Sequence, residues 1–200
     1  IDKENPFKAP ELGDDMGIFD DFQSGSVHVE AHDRYCNGPT DILNEILIFI
    51  EKSFLDVKGK HTLEPVMFTM DLFKRSMRNL PEAWRPLGYI PNLDKLCPHA
   101  TPDDKLQDYH YCLRIILSEL AEYQKLGGID WKLCLDDTVD IECRLQIPVN
   151  CVMGDCEGHD KACCRKSNRS GKAKGSLCRY CNCNFATLGY PYFGSKDPLI

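Results

Sequence analysis

No run of eighteen or more apolar residues occurs in the 200-residue chain, so no membrane-spanning helix is expected. The opening stretch IDKENPFKAP has neither a basic start nor an apolar core, so no secretory leader is legible there. The chain also begins at Ile1 rather than Met, as a fragment would. No internal repeat is visible, which sets aside stacked-repeat architectures. Acidic residues are missing over one long reach: from Lys161 to Lys196 there are eight Lys and Arg and no Asp or Glu. The chain as a whole carries a formal charge of −7, which argues against a surface that coats nucleic acid everywhere. Outside the basic reach, 16 Lys and Arg face 31 Asp and Glu, a balance of −15. A local basic patch on an acidic body suits a directed phosphate contact, the alternative being a solvated loop kept soluble by lysines.

What is present is ordinary in bulk and unusual in one residue type. A hydrophobic share of 42% and a charged share of 28% suit one globular core with an appendage. Twelve cysteines are many. Cys97, Cys112, Cys134, Cys143 and Cys151 lie singly in or beside apolar segments, where a free thiol behaves as a small hydrophobe. Only the segment GDCEGHDKACCRKSNRSGKAKGSLCRYCNC, residues 154–183, clusters them, with six. That uneven use favours a reducing, intracellular setting. A secreted, disulfide-bonded protein is the competing reading, and Asn168-Arg169-Ser170 supplies a glycosylation sequon for it.

Residues 1–40 are acidic and rich in Gly, Pro and Asp, a composition that buries little. They are expected to be a linker, or a docking segment that orders against a partner or the body. From Ile42, "ILNEILIFI" predicts a helical turn running into a buried strand that ends near Glu51. "LEPVMFTMDLF" and "WRPLGYIP" predict two more strands, edged by Pro81, Pro86 and Pro91. Three strands in succession suggest an antiparallel meander. Thr101 three residues before Asp104, Pro102 at the first helical position and Gly127-Gly128 at the close predict a helix, with its body over 103–126. Leu106, Leu113, Ile116, Leu117, Leu120 and Tyr123 would form its inner face, and His110 is read as part of a plain core helix. "VDIECRLQI" and "VNCVMGD" return to strands, the second delivering Asp155 directly after Gly154.

The order strand, strand, strand, helix, strand is that of an α/β, RNase-H-like mixed sheet. In such a sheet the acids near residues 51–56 should approach Asp155. Converging carboxylates raise each other's pKa until a cation neutralises them. Paired Mg2+ or Mn2+ ions, about 4 Å apart, clamp the attacking and leaving oxygens of an in-line phosphoryl displacement. Mg2+ needs only a few carboxylates, so no dense motif is required. The candidate catalytic acids are Glu51, Asp56 and Asp155, with Glu157 and Asp160 as neighbours; pattern alone does not choose between Glu51 and Asp56. His159, Cys163, Cys178 and Cys181 form H-x3-C-x14-C-x2-C, a plausible tetrahedral Zn2+ set. Bound Zn2+ would present Lys161, Arg165, Lys166, Arg169, Lys172, Lys174 and Arg179 to DNA phosphates. A disulfide between Cys178 and Cys181, or free thiols there, is the alternative.

The segments "LEPVMFTMDLFKR", "RNLPEAWRPLGYIPNL", "GDCEGHDKAC" and "LCRYC", in this order and spacing, resemble Plavaka-type transposases, relatives of the CACTA DNA transposons. The resemblance runs from about Phe49 to about Cys181. It implies a DDE transposase with an RNase-H-like core that uses divalent metal to cut and rejoin DNA, and hence a nuclear location. Asp155 matches the second catalytic aspartate, and Cys163, Cys178 and Cys181 match cysteines that follow it. Where the family resembles "D-K-T", this chain has Glu51-Lys52-Ser53, with a carboxylate one methylene further out. The third acid is expected beyond Ile200, so the chain is not expected to catalyse alone. The expected organisation is a 1–40 linker or docking segment, a 41–155 core, a 156–185 zinc knuckle and a 186–200 tail. Homo-oligomerisation and a protein partner docked on the acidic N-terminal segment both stay open, and no membrane partner is expected. The alternative in function is a noncatalytic zinc-binding interaction module.

Overall fold

The computed structural model describes residues 6–10, 21–57, 62–136, 139–154, 158, 161 and 162. The chain divides into two compact units, Ile1–Gly154 and Asp155–Ile200. The first contains a 3-10 turn at Phe22–Ser24, α1 (Ser26–Tyr35), β1 (Asp41–Leu43), β2 (Ile46–Ile50), β3 (Ser53–Phe54), β4 (Thr62–Met70) and α2 (Arg75–Arg78). After a second 3-10 turn at Pro81–Ala83 come β5 (Arg85–Ile90), α3 (Leu93–Leu96), α4 (Pro102–Ile116), α5 (Ser118–Lys125), β6 (Ile129–Asp136), β7 (Val139–Gln146) and β8 (Val149–Gly154). The fold is mixed α/β with two mixed sheets. None of the described helices is long and apolar enough to cross a membrane.

The larger sheet is built around β2. Its sequence ILIFI has no polar face, and a strand that is apolar on both sides is stable only where both sides are covered. Leu47 and Ile48 are each 1% exposed, and Ile50 2%. β4 flanks β2 in antiparallel register from Ile46↔Met70 to Ile50↔Val66. β3 prolongs that pairing through Ser53↔Leu63, and β5 lies antiparallel on the other edge of β4. On its remaining side β2 pairs with β8 in parallel, from Ile46↔Val149 to Ile50↔Gly154.

The smaller sheet is the antiparallel β6–β7 hairpin with β1 added in parallel to β7. The two sheets share a spine. The Asn44 amide donates to the Gln146 carbonyl and the Ile46 amide to the Pro148 carbonyl, both at 2.8 Å. The runs β1–β2 and β7–β8 are thus two adjacent parallel strands that bend at the same level, at Asn44-Glu45 and at Ile147-Pro148. The helical turn expected at Ile42 is therefore the strand β1, because this pairing with β7 is available to it. β6 is a further strand that the sequence pattern did not give away.

Thr101 caps α4 as its spacing predicts: its Oγ1 accepts from the Asp104 amide at 3.2 Å, and the Asp104 carboxylate accepts from the Thr101 amide at 3.0 Å. The expected single helix is two, with Leu117 (φ −96°, ψ 7°) between them. Ser118 Oγ donates back to the Ile115 carbonyl at 2.8 Å, a bond that competes with regular helix geometry. α4 sits close on β5 because Gly88 has no side chain: a Cβ there would lie 2.8 Å from Ile116 Cγ1. Tyr109 and Leu113 are buried; Leu106, Ile116, Leu117 and Leu120 are half-buried, and Tyr123 is exposed.

Candidate functional site

β2 and β8 run in the same direction and end together, with Ile50 opposite Gly154. Glu51, directly after Ile50, is exposed. Asp56 comes five positions later with β3 in between, so it belongs to the far side of that short strand. Asp155 follows Gly154 in sequence but lies outside the described residues, as do Glu157, His159, Asp160, Cys163, Arg165, Lys166, Arg169, Lys172, Lys174, Cys178, Arg179 and Cys181. Lys161 is described and half-buried. The six described cysteines, Cys36, Cys97, Cys112, Cys134, Cys143 and Cys151, are free thiols.

A second constellation stands at the opposite end of β2. Antiparallel pairing of β2 and β4 brings Glu45, just before β2, beside Asp71, just after β4. The Asp71 amide donates to the Glu45 carbonyl at 3.0 Å, and the Glu45 amide donates to Asp71 Oδ1 at 2.8 Å. His28 comes onto the pair from α1: its Nδ1 is 2.6 Å from Glu45 Oε2 and 3.2 Å from Asp71 Oδ2. His28 is 6% exposed, Glu45 1% and Asp71 0%. Part of the segment expected as a linker or docking region is thus a helix held by a buried polar contact.

The contact is buttressed from outside. The Gln23 amide group donates to the Asp71 carbonyl at 3.1 Å. Arg78, itself buried, donates through Nη1 to the same carbonyl at 3.0 Å and pairs through Nη2 with the Asp21 carboxylate. Its guanidinium also stacks 5.1 Å above the Phe22 ring. Burial works against a charge on His28, but the hydrogen bonds and charges of Asp71 and Glu45 outweigh it and raise the imidazole to about 9. Burial likewise pushes the Asp71 carboxyl above its ordinary range, against the opposing pull of His28. Cys151, next to Leu47 across the β2–β8 ladder, is held as a neutral thiol by burial and then by the Glu45 charge.

No family model, curated protein or solved structure matches the chain. Its chemistry is therefore read from the side chains. At the other end of β2, solvent reaches Glu51, directly after the strand end at Ile50. The His28–Glu45–Asp71 group is closed to solvent and suited to a proton or a partly dehydrated ion. No sequence spacing links these three, since they sit 17 and 26 positions apart. The available signal was a Glu inside the apolar run ILNEILIFI and an Asp closing VMFTM, each a buried acid in need of a partner.

Proposed function

We propose that this chain is a transposase-derived DNA-binding protein whose RNase-H-like core retains part of a DDE site, at which Mg2+ or Mn2+ serves DNA strand cleavage and transfer. The observation that carries the reading is the parallel register of Ile50 with Gly154. Neighbouring strands lie about 4.8 Å apart, and Glu51 and Asp155 each follow by one peptide bond. An acid thus follows each of the two paired strand ends in the sequence, and a divalent cation would draw on both.

Further support comes from the order of the larger sheet. β2, β4 and β5 form the antiparallel meander, α4 and α5 follow, and β8 returns parallel to β2. The β6–β7 hairpin is then an insertion between helix and returning strand. Glu51 and Asp155 would hold the ion, which would neutralise charge on the phosphoryl oxygens. Zn2+ on His159, Cys163, Cys178 and Cys181 would present the basic loop to DNA, and a nuclear location follows from that substrate. The resemblance to Plavaka-type transposases points the same way.

The test is calorimetric titration of Mg2+ into the full chain and into Asp155→Ala. Binding that disappears in the variant is the expected outcome. Identical heats for both proteins, with the variant folded by circular dichroism, would overturn the reading.

A further inference from the structure

We propose that His28, Glu45 and Asp71 form a binding site for one divalent first-row transition ion, at the end of the central sheet opposite Glu51 and independent of the DNA-cutting site. Three observations carry it. The three ligand atoms, one per residue, lie within 4.8 Å of one another, and all three residues are buried. The donor set is one imidazole and two carboxylates, a mixture that Mn2+, Fe2+ and Zn2+ accept. And the group as it stands sets two buried carboxylates against one imidazole nitrogen, Nδ1, at 2.6 Å and 3.2 Å.

One nitrogen shared by two buried carboxylates favours a metal over a purely structural ion pair. Nδ1 carries a single proton, and at 2.6 Å from Glu45 Oε2 that proton is committed to Glu45. Asp71 Oδ2, in a residue 0% exposed, has the same Nδ1 as an ion-pair contact at 3.2 Å but no hydrogen bond of good geometry among the described residues. A buried carboxylate oxygen without a donor is costly. Thr69, two residues earlier along β4, also buries a hydroxyl that has no partner among the described residues. Charge leads to the same place. An imidazolium can offset only one of the two carboxylates, whereas a neutral imidazole with two carboxylates matches the charge of one divalent ion.

The two separations from the imidazole lie near those a bound ion requires. Ligands about 2.0–2.1 Å from a tetrahedral ion lie about 3.3 Å from each other. The Nδ1···Asp71 Oδ2 distance of 3.2 Å already has that value. The 2.6 Å contact to Glu45 is a hydrogen bond and would open by about 0.7 Å as the metal replaces the proton. The supporting shell is in place as well: the Glu45 amide fixes Asp71 Oδ1, and Gln23 and Arg78 hold the Asp71 carbonyl. Because α1 supplies the imidazole, the ion would fasten α1 to the sheet.

Mn2+ is the probe, since it disfavours thiolates and so discriminates against the cysteine-rich segment. The chelator-treated full chain is labelled with 15N-histidine, the His28 signals are assigned from His28→Gln, and Mn2+ is added. Selective broadening of the His28 signals is expected, retained in Asp155→Ala, with Mn2+ affinity reduced more than about tenfold in Asp71→Asn. His28 signals that stay sharp at millimolar Mn2+ would overturn the proposal. So would broadening that vanishes in Asp155→Ala, because it would then arise from the other site. Should Asp71→Asn fail to fold, Glu45→Gln takes its place, and the wild-type and Asp155→Ala spectra decide the matter by themselves.

Discussion

Ile50 and Gly154 stand opposite each other on neighbouring parallel strands, and the chain leaves each of them into an acid, Glu51 and Asp155. Glutamate reaches one methylene further than aspartate, and a displacement of about 1 Å is enough to weaken a site of this kind. Mg2+ affinity is therefore expected to rank Glu51→Asp above wild type and wild type above Glu51→Ala. The last step should cost about tenfold, or about 1.4 kcal/mol. Calorimetry on the three proteins checks the order. Equal affinity of Glu51→Ala and wild type would remove Glu51 from the site.

The Gly127-Gly128 pair ends α5 with two left-handed residues, φ 74° and φ 105°. Their surroundings differ. A Cβ on Gly127 would meet only Arg144 Nη2 at 3.9 Å, whereas one on Gly128 would lie 2.5 Å from the Leu145 carbonyl oxygen in β7. Gly127→Ala is expected to cost about 1–2 kcal/mol, the ordinary penalty for that backbone region. Gly128→Ala should cost clearly more, because backbone in a paired strand has to move. Urea denaturation of both variants measures the difference. Equal costs would mean that the α5–β7 junction yields more easily than its packing implies.

Local chemistry made much of this fold legible. Thr101, Asp104 and Pro102 mark a helix start through hydrogen bonds confined to one turn, and ILIFI marks a strand buried on both faces. Contacts between distant segments were not legible in the same way. The pairing of β1 with β7 depends on Asn44 meeting Gln146, about a hundred positions away, and a segment as short as Asp41-Ile42-Leu43 is consistent with helix or strand. The break at Leu117 lies in its own backbone angles, beside a Ser118 hydroxyl bonded back to the Ile115 carbonyl, and no residue pattern marks it. The His28–Glu45–Asp71 group was hidden because its members gain meaning only once β2 and β4 are paired and α1 lies across them. Pattern also drew equal attention to Glu51 and Asp56, which the placement of β3 separates.

His28 should make the metal-free chain sensitive to alkaline pH. Its folded pKa of about 9 is above the ordinary 6.5, so the folded state holds the proton more tightly than the unfolded chain does. The resulting stability is complete below about 6.5 and is lost as pH rises through about 9. Asp71, also raised, adds a change of the same sign at lower pH. Denaturation of the chelator-treated protein is expected to show falling stability between those limits, and a flatter profile in His28→Gln. His28→Ala should cost about 3–5 kcal/mol at neutral pH, since it strands two buried carboxylates. A profile in His28→Gln that tracks wild type would assign the slope to another group.

DNA binding offers the sharpest test of the basic reach between Lys161 and Lys196, because its two proposed requirements, charge and closure, can be removed separately. Each phosphate neutralised by a Lys or Arg contributes about −0.9 to the slope of log affinity against log salt. Replacing Lys172 and Lys174 by Ala should make the slope shallower by about one for each phosphate no longer neutralised, with affinity falling about equally for all DNA sequences. If Zn2+ on His159, Cys163, Cys178 and Cys181 is what presents those lysines, a zinc chelator should flatten the slope in the unmutated chain by a similar amount. The chelator should then have little further effect on the double variant, since both treatments act on the same lysine–phosphate pairs. Fluorescence anisotropy on labelled duplexes at several salt concentrations reads all four conditions. A slope that charge removal changes and chelation does not would keep the lysines on the phosphates and remove zinc from their presentation.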